Sequence, residues 1–494
     1  MRALALVTLI GGCGGKKDPP PTRDQVPAPV ADDSDDPPAP PAAAVFPEGT
    51  RSLELVRTVG VRLEPGDDAK RIGTVAIDTR VRWTSTAVAK GCTKPWVEIV
   101  PRGWVCADYL TPSKKPPMGR EVPMLERGEL VPGVYGKVTA PNSVTYALEK
   151  PAIKKPDKKA DKKNNPKQPS GPVTSTTEVD TPKKLPESKM IEDKPLVGSV
   201  NVRQWEEVTV GGKQYWRVAQ KDNEYVLRSA ISPHRPSLYN GTRLGDDTGW
   251  TVPIAFVWPR AGYQSTYTMN KANGGGIHRQ VTARTPVAIL ETVSDPGGKP
   301  LAHRIGAAEW IRATDVRVFS TAPPPALLQK HERWIDIDLE SQILVAFEGE
   351  IPVYATMVSS GGKETPTETG VYRMWLKESE ADMKGLNGED PYSVATVPWT
   401  QFFSPEKGLA IHTAYWHDQF GTKRSHGCVN LAPKDARWLY FWSDPQVPPG
   451  WTMAAGVVEA PGSIVRVRTK DEPDPPARGY AKKVVEVRQQ NAPR

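Results

Sequence analysis

Cysteine is scarce in this sequence, which has four in 494 residues: Cys13, Cys92, Cys106 and Cys428. So few cysteines exclude a disulfide-dense scaffold, and they are too few for the common structural zinc sites built from paired cysteines. Long apolar runs are also missing, because no stretch beyond the N-terminus has the roughly 20 apolar residues of a membrane-spanning helix. The length nevertheless predicts several folded domains, since one domain usually holds about 100–200 residues.

Charge is nearly balanced apart from one tract. The formal charge is +8, with 65 Lys and Arg against 57 Asp and Glu. Residues 150–167 hold eight lysines and two aspartates, so most of the excess belongs to one Lys- and Pro-rich stretch and not to a basic face. Such a tract suits an anionic surface such as a membrane, a wall polymer or nucleic acid. For the protein as a whole, no nucleic-acid partner is expected.

The N-terminus has the features of an export signal. Arg2 precedes the apolar run Ala3–Ile10, which has the length of a signal peptide but is too short to span a bilayer. Two glycines then precede Cys13, an arrangement that resembles a lipoprotein signal and implies lipidation of Cys13. An ordinary cleaved signal is the alternative. We expect a protein of the cell envelope, anchored to a membrane through lipid and facing the periplasm.

Export makes a disulfide possible. Cys92 and Cys106 lie in one β-rich segment with 13 residues between them. A bridge closing such a loop stabilises a fold by about 3 kcal/mol in the chain-entropy model. We therefore expect a disulfide, with two buried free thiols as the alternative. Cys428 is then left alone, and an unpaired cysteine in an exported protein is a candidate reactive thiol.

Three β-rich units precede the last third of the chain. Each closes with two short alternating strands that carry aromatic residues, around Trp96 and Trp104, Trp216 and Tyr225, and Trp310. The repeat resembles bacterial SH3-like domains, small five-stranded barrels, and implies two or three of them with possible wall binding. The individual aromatic residues are expected to be barrel core.

The C-terminal third predicts an antiparallel meander. Residues 335–339 alternate Ile or Leu with Asp, and two further apolar runs follow at 343–347 and 353–358. Another strand is expected at 371–376, a short helix after Pro433, and a last strand at 464–467.

The predicted segments are a signal peptide at 1–13, a Pro- and Ala-rich disordered spacer at 14–48, β-rich units at 49–113, 114–236 (with a Lys- and Pro-rich insertion at about 150–189) and 250–320, a C-terminal domain at 332–468, and a disordered tail at 469–494.

The residues that indicate chemistry are His412 and the string from Ser425 to Asn430, which contains Cys428. A thiol with a pKa near 8.5 is only a few per cent thiolate at pH 7. A nearby imidazole raises that fraction and carries a proton to a leaving amine. If the backbone is extended, His426 and Cys428 point to the same side. Gly427 lets backbone N–H groups approach a reacting carbonyl, as an oxyanion hole requires.

With the meander upstream, these residues resemble the L,D-transpeptidase catalytic domain, the YkuD fold, over about residues 334–467. The resemblance includes the start at Ile335, the turn Pro366–Gly370 and the Ser-His-Gly-Cys-Val-Asn string. It implies a mainly β fold: a C-terminal β-sandwich with a short helix, preceded by the SH3-like barrels. The implied site residues and roles are Cys428 as nucleophile, His412 as general base, the carbonyl of Thr413 orienting the imidazole, and Ser425, His426, Gly427 and Asn430 shaping the oxyanion and substrate site. Glu368 replaces the usual second proline of the turn, which affects no catalytic position.

The implied reaction joins peptidoglycan stem peptides without cofactor or metal. The thiolate attacks the carbonyl of the third stem residue, releases D-alanine, and transfers the acyl group to an amine of a second stem peptide. Water as acceptor, which makes an L,D-carboxypeptidase, a protein lysine as acceptor, and a non-catalytic wall-binding lipoprotein are the alternatives. The sequence does not choose among the acceptors.

Several nearby residues have two interpretations. Arg424 either holds a substrate carboxylate or is solvent-exposed, and Tyr415 and Trp416 either line the substrate groove or pack. His417 and Asp418 are expected to belong to an acceptor-side loop or to the surface, with a catalytic pair as the less favoured alternative. Zinc binding by the histidines and Cys428 is disfavoured because the short pair spacings of zinc sites are missing. The remaining histidines are expected to be structural or exposed: His234, His278, His303 and His331.

Overall fold

The computed structural model describes residues 46–149, 188–319, 321–385 and 391–490. Strands predominate in these ranges, which confirms the predicted mainly β class. Cys13, most of the spacer and the tract 150–187 lie outside the described residues. None of the helices within the described ranges combines the length and the apolar character that crossing a bilayer requires.

The three N-terminal units share one arrangement of strands. The first consists of β1 (Ser52–Leu55), β2 (Val59–Arg62), β3 (Arg71–Val75), β4 (Arg80–Val81), β5 (Trp83–Ala87), β6 (Trp96–Ile99), β7 (Trp104–Cys106) and β8 (Leu110–Ser113). The second consists of β9 (Val134–Val138), β10 (Val144–Glu149), β11 (Lys189–Pro195), β12 (Ser199–Gln204), β13 (Glu206–Val210), β14 (Lys213–Arg217), β15 (Tyr225–Leu227) and β16 (Ile231–Pro233). After β17 (Thr242–Arg243), the third consists of β18 (Ile254–Val257), β19 (Ser265–Met269), β20 (Ile277–Thr282), β21 (Pro286–Ala288), β22 (Glu291–Ser294), β23 (Pro300–Gly306), β24 (Glu309–Arg312) and β25 (Val316–Val318).

In each unit the strands divide into a row of three and a row of five. The rows are β4-β1-β8 and β3-β2-β7-β6-β5, then β16-β9-β12 and β11-β10-β15-β14-β13, then β21-β18-β25 and β20-β19-β24-β23-β22. One turn of 3₁₀ helix precedes the last strand of every unit, at Ala107–Tyr109, Arg228–Ala230 and Ala313–Asp315. The aromatic strand pairs seen in the sequence therefore mark three copies of one supersecondary unit.

The C-terminal domain is formed by two sheets and two helices. Its elements are β26 (Arg333–Asp338), β27 (Ile343–Glu348), β28 (Ile351–Met357), β29 (Gly370–Arg373), β30 (Leu376–Gly385), β31 (Tyr392–Ser404), β32 (Leu409–Thr413), β33 (Val429–Leu431), α1 (Pro433–Trp442), β34 (Trp451–Ala455), β35 (Ile464–Arg468) and α2 (Gly479–Gln490). One sheet has the order β17-β28-β27-β26-β35-β29, and the other contains β31-β30-β34 with β32 and β33 beside β31. The predicted meander and the helix that begins at Pro433 are confirmed.

The single strand predicted at 371–376 is wrong. β29 pairs with β35 in one sheet, whereas β30 pairs with β31 and β34 in the other. The chain passes between the sheets at Met374 and Trp375, and Met374 is fully buried there. Because an apolar run of this length shows no alternation, the sequence did not reveal that it changes sheets.

The predicted disordered tail at 469–494 is also wrong for its described part. α2 packs on β29 and β31, with Ala481 and Val484 fully buried. Arg488 of α2 lies 3.6 Å from Glu332, whose carboxylate also accepts hydrogen bonds from the buried Arg373. The high charge of the segment concealed a helix that is stabilised by one narrow apolar face.

The N-terminal units share hydrogen bonds with the C-terminal domain. β3 of the first unit pairs with β34, and β12 of the second pairs in parallel with β31. β16, β9 and β12 therefore continue the sheet that contains β31. This fusion positions the second unit beside His412 and Cys428.

Candidate active site

Two neighbouring strands bring His412 and Cys428 together. β32 carries His412, and β33 begins directly after Cys428. The strands pair in parallel, with His412 opposite Asn430. The other side of β32 pairs with β31, so His412 lies inside the sheet and not at its edge. The loop 414–424 folds back, and both side chains line one cavity.

The imidazole of His412 has a fixed tautomer. Its Nδ1 atom lies 2.9 Å from the carbonyl oxygen of Thr413. A carbonyl only accepts, so Nδ1 carries the proton and Nε2 is left with its lone pair. Burial lowers the pKa of His412 to about 4, and the Thr413 contact opposes that shift only in part. The ring is therefore neutral at pH 7 and able to accept a proton at Nε2.

The thiol of Cys428 is protonated at rest. The residue is half-buried, and its Sγ atom lies 3.9 Å from the carbonyl oxygen of Gly408. Burial raises the pKa of the thiol to about 11, although a backbone hydrogen bond from Ala410 acts in the opposite direction. Since the pKa of His412 is also lowered, a neutral thiol and a neutral imidazole form the resting pair.

The turn that presents Cys428 is held by hydroxyl groups. Ser425 Oγ donates to the carbonyl of Cys428 and accepts from the N–H of Gly427 at 3.1 Å. Thr367 Oγ1 donates to the carbonyl of Gly427 at 2.7 Å, and Thr365 Oγ1 to that of Ser425 at 3.1 Å. Thr365 precedes the turn Pro366–Gly370 and Thr367 lies within it, so this turn braces the segment before the thiol.

Gly427 has a conformational role. Its φ is +117°, a region that residues with a Cβ rarely adopt, and an added Cβ would lie 3.0 Å from Leu409. Its own N–H already donates to Ser425. Gly427 therefore shapes the turn before the thiol, and its N–H is not an available oxyanion donor.

The expectation that His426 and Cys428 share an extended strand is wrong. Residues 426–428 form bends, and the strand begins only at Val429. The imidazole of His426 is exposed and stacks on Tyr392, with ring centroids 4.4 Å apart. The positive φ of Gly427 breaks the alternation on which the expectation depended.

His417 and Asn430 form a buried pair behind the cavity. The N–H of Gln419 donates to His417 Nδ1 at 3.1 Å, so the proton of the neutral ring lies on Nε2. Asn430 Nδ2 lies 3.1 Å from that Nε2, while Asn430 Oδ1 is buried without a partner among the described residues. Exchanging the amide oxygen and nitrogen of Asn430 lets His417 Nε2–H donate to Oδ1. The NH₂ group then occupies the position that has no partner among the described residues, so its hydrogen atoms remain available to a ligand. Burial, then the charge of Arg424, lowers the pKa of His417 to about 3.

The third unit holds the loop 414–424. Arg284 donates to both carboxylate oxygens of Asp418, at 2.6 and 2.9 Å, and Ser237 also donates to that carboxylate. Arg317 donates to the carbonyl of Gly421 and lies over the ring of Trp258. His417 is thus buried beside a tethered Asp418, so of the two expectations for this histidine the surface position is wrong, and the acceptor-side loop stays a prediction.

The cavity has a volume of about 370 Å³. Its wall combines the C-terminal domain with the second unit. The lining residues are Lys137, Ser199, Asn201, His234, Met383, Tyr392, Val394, His412, Trp416, Arg424, Ser425, His426, Cys428 and Asn430. The first four come from the second unit and were not predicted as site residues. Position in the chain gave no signal, because about 190 to 290 residues separate them from Cys428.

For the residues that had two interpretations, the structure shows which one holds. Tyr415 is fully buried, stacks on Tyr135 at 4.0 Å and donates to the carbonyl of Ala395, so it packs. Trp416 and the exposed Arg424 line the cavity. His303 is buried, with its Nδ1 atom 2.9 Å from Thr292 Oγ1, and His278 and His331 are exposed, as expected. His234, in contrast, lines the cavity. In the first unit, Cys92 and Cys106 form the predicted disulfide.

Comparison with known proteins assigns the C-terminal domain to a family. Residues 332–467 match the model of the L,D-transpeptidase catalytic domain, YkuD, which confirms the resemblance for that part of the chain. A Bacillus subtilis protein named putative L,D-transpeptidase YciB is 29% identical over 125 residues, which cover 24% of this chain and 63% of that protein. L,D-transpeptidase 2 of Mycobacterium tuberculosis is 31% identical over 105 residues, which cover 20% of this chain and 25% of that protein.

The chain thus spans less than two thirds of the length of these relatives. Among solved structures, the catalytic domain of Enterococcus faecium L,D-transpeptidase is 27% identical and has a TM-score of 0.22. That match covers 28% of this chain and 98% of the solved chain.

Proposed function

We propose that this protein is a peptidoglycan L,D-transpeptidase with Cys428 as nucleophile and His412 as general base. The observation that carries the proposal is the tautomer of His412. Its Nδ1–H is held by Thr413, and its basic Nε2 remains for the thiol with which it shares a cavity. Nucleophilic catalysis by cysteine needs this arrangement of a thiol, a base and a group that orients the base.

The first half-reaction acylates the enzyme. His412 Nε2 takes the proton of Cys428 as the sulfur attacks the carbonyl of the third stem residue. The carbon–nitrogen bond to D-alanine then breaks, and the imidazolium returns the proton to the departing amine. A thioester at Cys428 remains. The NH₂ group of Asn430 is a donor candidate for the oxyanion, because its oxygen is satisfied by His417.

The second half-reaction transfers the acyl group. The amine of a second stem peptide, or of a protein, attacks the thioester and gives a proton to His412 Nε2. The carbon–sulfur bond breaks, and the proton returns to sulfur. Because Cys428 and His412 start and finish neutral, the cycle needs no other acid or base.

Acylation by a carbapenem tests the enzyme assignment. The intact protein should gain one drug mass at Cys428, and the Cys428→Ala variant should gain none. Incubation with a disaccharide tetrapeptide should release D-alanine and yield a dimer, whereas a tripeptide product without dimer indicates water as acceptor. A Cys428→Ala variant that still releases D-alanine would contradict the nucleophile assignment.

For the rest of the chain we propose an envelope lipoprotein. Cys13 is the proposed lipidation site, and the three repeated units are proposed to be SH3-like domains that contact wall polymers. Acyl chains contribute about 0.8 kcal/mol for each buried methylene, so the native protein should partition into detergent and a Cys13→Ala variant should not. A native protein that stays in the aqueous phase would contradict lipidation.

A further inference from the structure

One wall of the cavity belongs to the second unit. β12 pairs in parallel with β31, which sets Ser199 beside Tyr392 and Asn201 beside Val394. β9 pairs with β12 on its other side, with Lys137 opposite Asn201. Because these strands continue the sheet of the C-terminal domain, their side chains have fixed positions relative to the thiol.

The charges around the cavity have one sign. Lys137 and Arg424 line it, and the lining contains no aspartate or glutamate. Neither cation has a carboxylate partner among the described residues, although Arg424 donates to the side-chain oxygen of Gln419. His234 adds no charge at pH 7, because burial and then Lys137 lower its pKa to about 4.

Polar groups support this wall. His234 Nε2 lies 2.8 Å from Asn201 Oδ1, and Asn201 is buried. The backbone N–H of His234 donates to the carbonyl of Tyr135. The pair fixes the surface next to Lys137, whose side chain is exposed and free to reach a ligand.

We propose that Lys137 of the second unit binds a carboxylate of the peptide acyl donor beside Cys428, so that this unit determines donor specificity. The proposal rests on the proposed function and deepens it. A stem tetrapeptide presents a C-terminal carboxylate and side-chain carboxylates, which are the same ligand chemistry from different positions. Lys137 is thereby a specificity-determining residue and takes no part in proton transfer.

Binding to the full chain with the Cys428→Ala substitution tests the proposal without turnover. The probes are the tetrapeptide, its C-terminal carboxamide and its carboxamide at the diamino-acid carboxylate. Binding of each probe is measured by calorimetry. Lys137→Met should weaken the tetrapeptide about fivefold, the size of a solvent-exposed ion pair. The same substitution should change the affinity of one of the two carboxamides by less than about twofold, because that carboxamide lacks the carboxylate that Lys137 binds. The insensitive carboxamide therefore identifies the bound carboxylate. Added salt should reduce the difference in tetrapeptide affinity between the proteins with and without Lys137→Met.

Lys213→Met, on β14 of the same unit and away from the cavity, is the matched control and should leave all three affinities unchanged. The proposal is overturned if Lys137→Met weakens the tetrapeptide and both carboxamides equally, or if it weakens none of them. It is also overturned if none of the peptides binds. Carbapenem acylation of the protein with Cys428 intact separates the two conclusions. If the protein is acylated but the Lys137 test fails, only the donor-binding role of Lys137 is wrong. If the protein is not acylated, the proposed function itself is wrong.

Discussion

The Nδ1 atom of His412 lies 2.9 Å from the carbonyl oxygen of Thr413, the next residue in the chain. This contact supports the proposal that His412 is the base, because it leaves Nε2 of the neutral ring unprotonated. His426 instead stacks on Tyr392 from an exposed bend.

The two histidines should therefore differ in their effect on acylation. We expect His412→Ala to reduce the carbapenem acylation rate of Cys428 by several orders of magnitude, because the thiol proton has no acceptor. His426→Ala should cost less, at most about 10²–10³, the size of one lost oxyanion donor. Stopped-flow rates across pH measure both variants. If His426→Ala is the slower one and loses the acidic limb of the profile, the assignment of the base is wrong.

A second prediction concerns the resting charge of Cys428. Burial raises the pKa of its thiol to about 11 and lowers that of His412 to about 4. Raising a thiol pKa lowers the thiolate fraction at neutral pH, to about one in ten thousand at pH 7. Alkylation by iodoacetamide should therefore accelerate about tenfold per pH unit from pH 7 to 10.

The readout is the alkylation of Cys428 by mass spectrometry, with the unfolded protein as the control. In urea the profile should level off near the ordinary thiol pKa of about 8.5. A plateau of the folded protein between pH 5 and 8 would indicate a thiolate–imidazolium pair at rest and contradict the neutral pair.

Local patterns predicted the parts of the fold that depend on neighbours in sequence. The alternation at 335–339 located β26, and Pro433 located the start of α1. The short string around Cys428 located the candidate site, because its residues are neighbours in the chain and four of them line one cavity. The aromatic strand pairs located the three units, since each unit is built from consecutive strands.

Other features depend on contacts between residues far apart in the chain, which the spacing of apolar residues does not predict. The parallel pairing of β12 with β31 joins segments about 190 residues apart and puts Lys137 at the cavity. Asp336 alternates with isoleucines as a solvent-facing residue would, yet it is buried. Arg466 and Arg468 on β35 hold it with hydrogen bonds of 2.7 to 3.0 Å. Only the pairing of β26 with β35 brings these charges together.

A third prediction follows from the buried Lys377. Its Nζ atom donates to the carbonyls of Tyr440 and Ser443 at the C-terminal end of α1, where a cation is favourable. Burial lowers its pKa to about 7. Between this value and the ordinary pKa near 10.5, the unfolded chain binds more protons than the folded one, so stability rises with pH.

The wild type should accordingly gain about 2 kcal/mol relative to Lys377→Met between pH 7 and pH 9. The measurement is the difference in Tm between the two proteins at each pH, which removes the contribution of groups common to both. Lys384→Met, on the exposed end of the same strand, is the control and should show no such change. Parallel pH profiles for wild type and Lys377→Met would contradict a neutralised buried amine.

The final prediction concerns the loop that carries His417. Arg284 of the third unit binds Asp418 with two hydrogen bonds and also lies over the ring of Tyr239. The side chains of Arg284 and Asp418 are 23% and 51% exposed, so the pair contributes about 1 kcal/mol at most. Because His417 is next to Asp418 and bonded to Asn430, loosening this contact should disturb the oxyanion side of the cavity and leave His412 in place.

We therefore expect Arg284→Met to slow acylation of Cys428 about fivefold, without shifting the pH profile that His412 controls. Asp418→Asn should have a similar effect, and the double variant should be little worse than either, since both changes remove one contact. Arg260→Met, at an exposed position of the same unit, is the matched control. If Arg284→Met acylates at the wild-type rate, or if the two effects multiply in the double variant, the third unit does not hold the loop through this pair.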